Sequence, residues 1–292
     1  MRHPDPDDWA GPARRVRVGD RALALPLRYP DSACFAAVHP ASHPAVAAAL
    51  PGDALKPVRW VDGRALLSVA AFRYRAVTTA DSPAGRLAPY GEVSVAVVVT
   101  RGPAPPVLPL LRRRLSLFVL HLPVTTAEAR DVGATLWGFP KFVADMDFVE
   151  ERPARRVTVT EGGATVLELA VRGGGPVLAD RRPAVMYTTL GGELLETVVP
   201  MAGRLRVAFG GGAGTLRLGE HAVADSLRAL EVSPAPVAVF DFLDHRSVLP
   251  AGRPVGPAPA YRGHRGGERA AGRFTVRYRH TPPLDLSAPA PV

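Results

Sequence analysis

The sequence predicts a mainly β, α+β protein: one antiparallel sheet curled into a barrel or cone with a few short helices. Three observations lead there. Short β-branched or alternating runs recur along the whole chain, Gly and Pro punctuate them, and only three segments carry helical patterns. Three short helices cannot cover both faces of so many strands, which argues against a doubly wound parallel sheet.

Strands are expected at Val16 to Leu27, Ala65 to Tyr74, Glu92 to Val99, Leu115 to Leu122 and Val143 to Val149. Further runs follow at Arg156 to Thr160, Thr165 to Val171, Leu194 to Val199, Arg204 to Phe209, Val237 to Phe242 and Phe274 to Tyr278. The first helix, Ser42 to Leu50, has a capping Ser, Pro44 in its first turn and Pro51 as a stop. The second, Thr125 to Leu136, opens with Thr125 and Glu128 at the spacing of a capping box. The third, Gly219 to Leu230, puts Val223, Leu227 and Leu230 on one face. Gly210 to Gly214 leads into the alternating Thr215 to Leu218, so it reads as a turn rather than a phosphate loop. Ala251 to Arg273, rich in Gly, Pro and Arg, reads as a long surface loop. The 292 residues are expected to form one domain over 16–281, between poorly ordered tails at 1–15 and 282–292.

Composition narrows the function. No apolar run approaches the length of a membrane span. The N-terminus carries acids and prolines where a signal peptide needs an apolar stretch, and Cys34 is the only cysteine, so a cytoplasmic protein without internal disulfides is expected. The formal charge of +9 comes almost wholly from arginine. Arg112–Arg114, Arg155–Arg156 and Arg181–Arg182 lie apart and lack interleaved aromatics, so a solvated surface explains them better than nucleic-acid binding. His39 and His43 have the spacing of helical metal ligands, but Pro40 and Pro44 and the lack of a third ligand argue for a loop. No metal site is expected.

Only Lys56 and Lys141 are lysines. Where charge alone matters, arginine serves in this chain. A primary amine, unlike a guanidinium, can lose its proton and attack a carbonyl. Lys141 follows a capped helix and the breaker Gly138-Phe139-Pro140, with Trp137, Phe139 and Phe142 around it. Such a wall disfavours the ammonium and prepares a nucleophilic amine; a lysine reaching out of an aromatic cluster is the plain alternative.

The segment Leu136-Trp-Gly-Phe-Pro-Lys141, preceded by Pro123-Val-Thr-Thr126, resembles the active-site motif of the acetoacetate decarboxylase family. The resemblance implies that Lys141 forms a Schiff base with a small keto acid. More loosely, Val18 to Pro51 resembles the family's N-terminal region, which implies a substrate-carboxylate contact for Arg21, with Arg28 in reserve. Tyr90-Gly91-Glu92 resembles the segment of the active-site glutamate, which implies a proton-handling role for Glu92. Trp137, Phe139 and Phe142 are the expected apolar walls of the substrate site. The chain departs from the family in carrying Phe142 where a second lysine follows the first, and Gly133-Ala134-Thr135 where Gly-Arg-Glu is usual.

These features imply a carbon–carbon lyase, either a β-keto-acid decarboxylase or an aldolase or dehydratase on a pyruvate-like substrate. No cofactor is required, because the imine itself is the electron sink. The resemblance further implies a homo-oligomer. A small-ligand binder on the same fold is the alternative that Phe142 raises, and an Arg-rich nucleic-acid binder is the weaker one.

Overall fold

The computed structural model describes residues 12–102, 115–267, 272–280 and 282–287, with the side chains of 82–86 excepted. Arg112–Arg114, residues 1–11 of the expected N-terminal tail and 288–292 of the expected C-terminal tail lie outside these residues.

Along the chain, β1 (Arg14–Val18) and β2 (Arg21–Leu25) pair as an antiparallel hairpin. Then come β3 (Leu27–Ala41), α1 (His43–Ala49), β4 (Leu55–Pro57), β5 (Ala65–Thr79), β6 (Ser82–Leu87), β7 (Tyr90–Arg101) and β8 (Leu115–Val124). α2 (Ala127–Trp137) leads into β9 (Lys141–Val143), β10 (Asp145–Glu151), β11 (Ala154–Glu161) and β12 (Ala164–Arg172). The chain continues through β13 (Val177–Asp180), β14 (Ala184–Leu190), β15 (Glu193–Val199) and β16 (Met201–Phe209). A 3-10 turn at Gly211–Ala213 precedes β17 (Gly214–Leu218) and α3 (Ala222–Ala229). β18 (Ala238–Leu249), β19 (Arg253–Pro257), β20 (Phe274–Tyr278) and β21 (Leu284–Asp285) complete the described chain.

Strands dominate, and three short helices accompany them, as the sequence predicts. The large sheet runs β13-β16-β18-β3-β5-β7-β8-β14-β15-β19, with β4, β6 and β9 attached. The smaller one runs β17-β12-β11-β10-β20-β21. Pairing is mostly antiparallel; the described exceptions are β8 with β9, β8 with β14, and β10 with β20. The path is not closed into a barrel. It ends on the short strands β13 and β19, and short edges limit edge-to-edge pairing without closure.

Period-two alternation divides the large sheet. The odd residues Phe35 on β3, Val69 on β5 and Val93, Val95 and Val97 on β7 face the main core. There they meet Phe148, Val157, Leu169 and Phe274 of the smaller sheet and Val223 and Leu227 of α3. Even residues of the same strands face the opposite way, toward the β1–β2 hairpin, α2 and a cavity.

The longest missed element is β3; β4, β6, β13, β14 and β21 were not expected either. Both faces of β3 are buried and it contains Pro30, Asp31 and Pro40, so it shows neither polar alternation nor a clean β-branched run. The expected strand Val16 to Leu27 is divided by the turn at Gly19, and the expected loop Ala251 to Arg273 contains β19. At α2 the cap is Thr126, whose side chain accepts from the N–H of Ala129. Thr125 instead accepts from the N–H of Gly91, and Glu128 pairs with Arg21. Ser42 occupies the N-cap of α1 without a side-chain cap bond.

Candidate active site

Lys141 enters through a sharp exit from α2. Gly138 closes the helix in the left-handed region, at φ 65°, and its N–H bonds the carbonyl of Ala134. A Cβ there would also lie 2.2 Å from the carbonyl oxygen of Thr189, so glycine is required twice over. Pro140 prevents the helix from resuming. The chain then runs parallel to the end of β8, with Lys141 beside Leu122. On the other flank of β8, Glu92 lies opposite Val124. Two strands bordering the same third strand thus present an amine and a carboxylate to one side.

The two groups meet. Lys141 Nζ donates to Glu92 Oε2 at 2.7 Å, with side chains only 6 % and 10 % exposed. Tyr74 donates its hydroxyl to the other oxygen, Oε1, at 3.1 Å. The rings of Tyr90 and Phe139 each lie 5.7 Å from Nζ. Tyr29, Tyr74 and Tyr90 form an aromatic cluster, and the Tyr29 and Tyr90 hydroxyls are 3.3 Å apart. Burial, and in Tyr74 next the Glu92 carboxylate, push these phenols up, so they remain protonated donors.

The lysine stem lies against Gly133 of α2. A Cβ at Gly133 would stand 2.6 Å from Cε and 3.0 Å from Nζ. Lys141, Glu92, Tyr74 and Phe139 line a cavity of about 260 Å³ on the even face of β3, β5 and β7, with Leu117 and Leu122 of β8 beside it and residues of β14 and β18 closing it over. It is mostly apolar. Among the described residues, Lys141 and Arg182 are the lysine and arginine that line it, and Asp180 accepts Arg182 at both oxygens. His245 also lines it; burial pushes its imidazole down to about 4, so it is neutral at pH 7.

The structure brings Lys141, Glu92 and Phe139 together on the cavity wall, and leaves the other expected site residues outside its lining, although the Trp137 ring packs against Phe139. Arg21 sits in the hairpin with its side chain 62 % exposed and paired to Glu128, because the turn at Gly19 points it outward. Arg28 lies on β3 between Thr78 and Val248, outside the residues that line the cavity. Trp137 is fully buried, but its indole donates to the carbonyl of Pro250 and it does not line the cavity. Phe142 follows Lys141 on a strand and therefore faces the opposite side, packed on His264 and His221. Tyr74 and Tyr29 were the missed participants. Tyr74 is signalled only by pairing: it lies opposite Tyr90 across β5 and β7.

Behind Phe142 a second polar group assembles. His221 Nε2 and His264 Nε2 lie 2.8 and 2.6 Å from Glu161 Oε2, and Gly267 N–H bonds Oε1. These three side chains are the described set whose ligand atoms lie close enough for a metal. The tautomer speaks for a clamp. His221 Nδ1 accepts the N–H of Val223 as the cap of α3, so its proton resides on Nε2 and points at the carboxylate. His39, by contrast, donates Nδ1–H to the carbonyl of Ser233, away from His43.

A mainly β chain with an amine and a carboxylate buried together in an apolar cavity defines the class, and the comparisons agree with that architecture. The family model described as acetoacetate decarboxylase (ADC) matches residues 17–240, and the chain belongs to this family. No curated protein sequence matches the chain. Among solved structures it resembles acetoacetate decarboxylase from Legionella pneumophila, at 16 % identity and TM-score 0.61, over 80 % of this chain and 88 % of that one. It also resembles the enduracididine biosynthesis enzyme MppR complexed with pyruvate, at 13 % identity and TM-score 0.57, over 79 % and 90 %. An acetoacetate decarboxylase-like enzyme from Sphingomonas wittichii RW1 matches at 16 % identity and TM-score 0.52, over 80 % and 92 %. At these identities the likeness is one of fold. Among the described residues no helix is long and apolar enough to cross a membrane.

Proposed function

We propose that the protein is an enzyme that forms an imine between Lys141 and the carbonyl of a keto acid, and then breaks or makes the carbon–carbon bond next to that carbonyl. The observation that carries this is the buried Lys141–Glu92 pair at 2.7 Å in the wall of an apolar cavity.

The pair contains what the first step needs. Transfer of the ammonium proton to Glu92 gives a free amine and a neutral acid with no net charge created. The amine attacks the carbonyl carbon, and a proton moves from nitrogen to the new alkoxide. Glu92 then returns its proton to the carbinolamine hydroxyl, which leaves as water. The product is an iminium beside a carboxylate, the charge pattern of the resting pair. Tyr74 holds Oε1 throughout, so Oε2 remains aimed at Nζ. From the iminium, a β-keto acid loses carbon dioxide as the bond electrons move to nitrogen; a pyruvate-like substrate loses an α-proton to Glu92 and the enamine attacks an aldehyde. Family membership and the MppR complex with pyruvate support both variants alike. The same reading takes the protein to act as a cytoplasmic homo-oligomer, following the resemblance.

Sodium borohydride added with acetoacetate or pyruvate should leave a reduced adduct whose mass maps to Lys141, and Lys141→Ala should leave none. An intact Lys141 across a panel of keto acids would favour a binder. Phe142, which raised that alternative, faces away from the cavity, so a second lysine at its position would not have entered the site. Carbon dioxide release from trapped substrates separates the decarboxylase from the aldolase.

A further inference from the structure

The cavity is larger than the reacting groups of acetoacetate or pyruvate require, and the sheet register shows where the room comes from. Along β7, Glu92 and Ser94 share a face. Glu92 belongs to a cross-strand row with Phe72 on β5 and Cys34 on β3. The next row holds Ser94, Ala70 and Ala36, directly opposite one another on the same three strands. No side chain in that row is larger than serine, and all three line the cavity. Beyond it, Ser68 continues the floor beside Val38. Phe240 on β18 stands opposite Ala36 and closes the row at its far end. With strands about 4.8 Å apart, the row of small residues is a trough about 10 Å long running across the sheet from the Glu92 strand.

A second observation marks the trough as a ligand site. Ser94 is 4 % exposed and its hydroxyl has no hydrogen-bond partner among the described residues. A buried hydroxyl left unpaired is costly until something bound to it supplies an acceptor or donor. The remaining lining disfavours a second charge, since Arg182 is already held by Asp180 and His245 is neutral.

We infer that the trough formed by Ala36, Ala70 and Ser94 receives an apolar substituent of the substrate, so that the enzyme acts on keto acids bearing an alkyl chain of several carbons or an aryl ring rather than on acetoacetate or pyruvate. This inference rests on the imine reading of Lys141. The chain or ring lies across the sheet over Ala70 and Ala36, the carbonyl carbon faces Nζ, and the Ser94 hydroxyl, next to Glu92 on the same face of β7, pairs with an oxygen of the keto-acid head.

The test is borohydride trapping with acetoacetate, 3-oxohexanoate, 3-oxooctanoate and benzoylacetate, read as the concentration that half-saturates the adduct on Lys141. Each methylene that enters the trough should lower that concentration about fourfold, the equivalent of about 0.8 kcal/mol per buried methylene. Ala70→Leu and Ala36→Leu, which fill the trough, should flatten the series; circular dichroism checks that they fold, and the wild-type series decides alone if they do not. Adducts that form equally well with acetoacetate and the longer acids would overturn the trough and leave the imine standing. Calorimetry with butyrate, hexanoate and octanoate separates the two ideas. If no keto acid leaves an adduct but these acids bind more tightly as they lengthen, the trough stands and the imine reading falls. If neither series responds, both fall.

Discussion

At residue 133 the chain accepts a local penalty for a distant side chain. Glycine in the middle of a helix costs about 1 kcal/mol relative to alanine, yet here an added Cβ would collide with the stem of Lys141. Gly133→Ala should therefore strengthen α2 and weaken the site. Its melting temperature should stay level or rise, while the rate of imine trapping falls about 10-fold to 100-fold because Nζ is pushed off its position beside Glu92. Glu92→Gln removes the acceptor for the ammonium proton and should slow trapping by a factor of about 100 or more, measured at saturating keto acid. The sequence revealed Lys141 because it is one of two lysines beside a helix-breaking Gly-Phe-Pro, and Glu92 through its resemblance to a known segment. Tyr74 could not be found that way: nothing in its local sequence shows that β5 and β7 set it opposite Tyr90 and aim its hydroxyl at Glu92. Arg21 shows the converse, since residue type alone does not reveal which way a hairpin turn faces.

Among the elements, the stretch after β19 is held by contacts that no local pattern announces. His264 and Gly267 reach Glu161 at the end of β11, where His221, the cap of α3, also donates. Burial alone would raise the Glu161 carboxyl, but the hydrogen bonds from His264, Gly267 and His221 outweigh it and hold the group below its ordinary value. A depressed carboxyl stabilises the fold above its unfolded value, about 4.3, and loses that contribution as pH falls through the folded value. Glu161→Gln should cost about 2 kcal/mol in denaturant titration. It should also speed amide hydrogen exchange in 258–267 at pH 7; unchanged exchange there would show that the clamp does not hold the segment. Thr126→Ala should cost about 1 kcal/mol by opening the start of α2. The helices were legible because Gly and Pro breakers and apolar spacing act locally, even where the expected caps at Ser42 and Thr125 form no cap bond, whereas β3 was not, because a strand buried on both faces has no polar side to mark its period.

For the whole molecule, three buried histidines set the acid limit. Burial, foremost, pushes the imidazoles of His39, His121 and His245 down to about 4. His39 Nε2 and His121 Nδ1 have no partner among the described residues, so an added proton there finds no acceptor. The unfolded chain takes up these protons near pH 6.5 and the folded one near 4, so stability is full above pH 6.5 and is lost as pH falls toward 4. At pH 5 each group costs about 2 kcal/mol, and together about 6, against a margin of about 5–15 kcal/mol for an ordinary fold. The melting temperature should drop steeply between pH 7 and pH 5, and His39→Phe or His121→Phe should shallow that slope. A flat melting profile over this range would refute the assignment. The open path of the sheet belongs to this scale too, since the strand-rich character was readable but closure depends on whether terminal strands meet.

β9 is three residues long, and its first two side chains serve opposite sides of the protein: Lys141 toward the cavity, Phe142 toward the histidine rings. A slip of one position against β8 would exchange the amine for a phenyl ring and strand the charge among imidazoles. Changes that loosen the Phe142 side should therefore surface first as lost chemistry in a protein that is still folded.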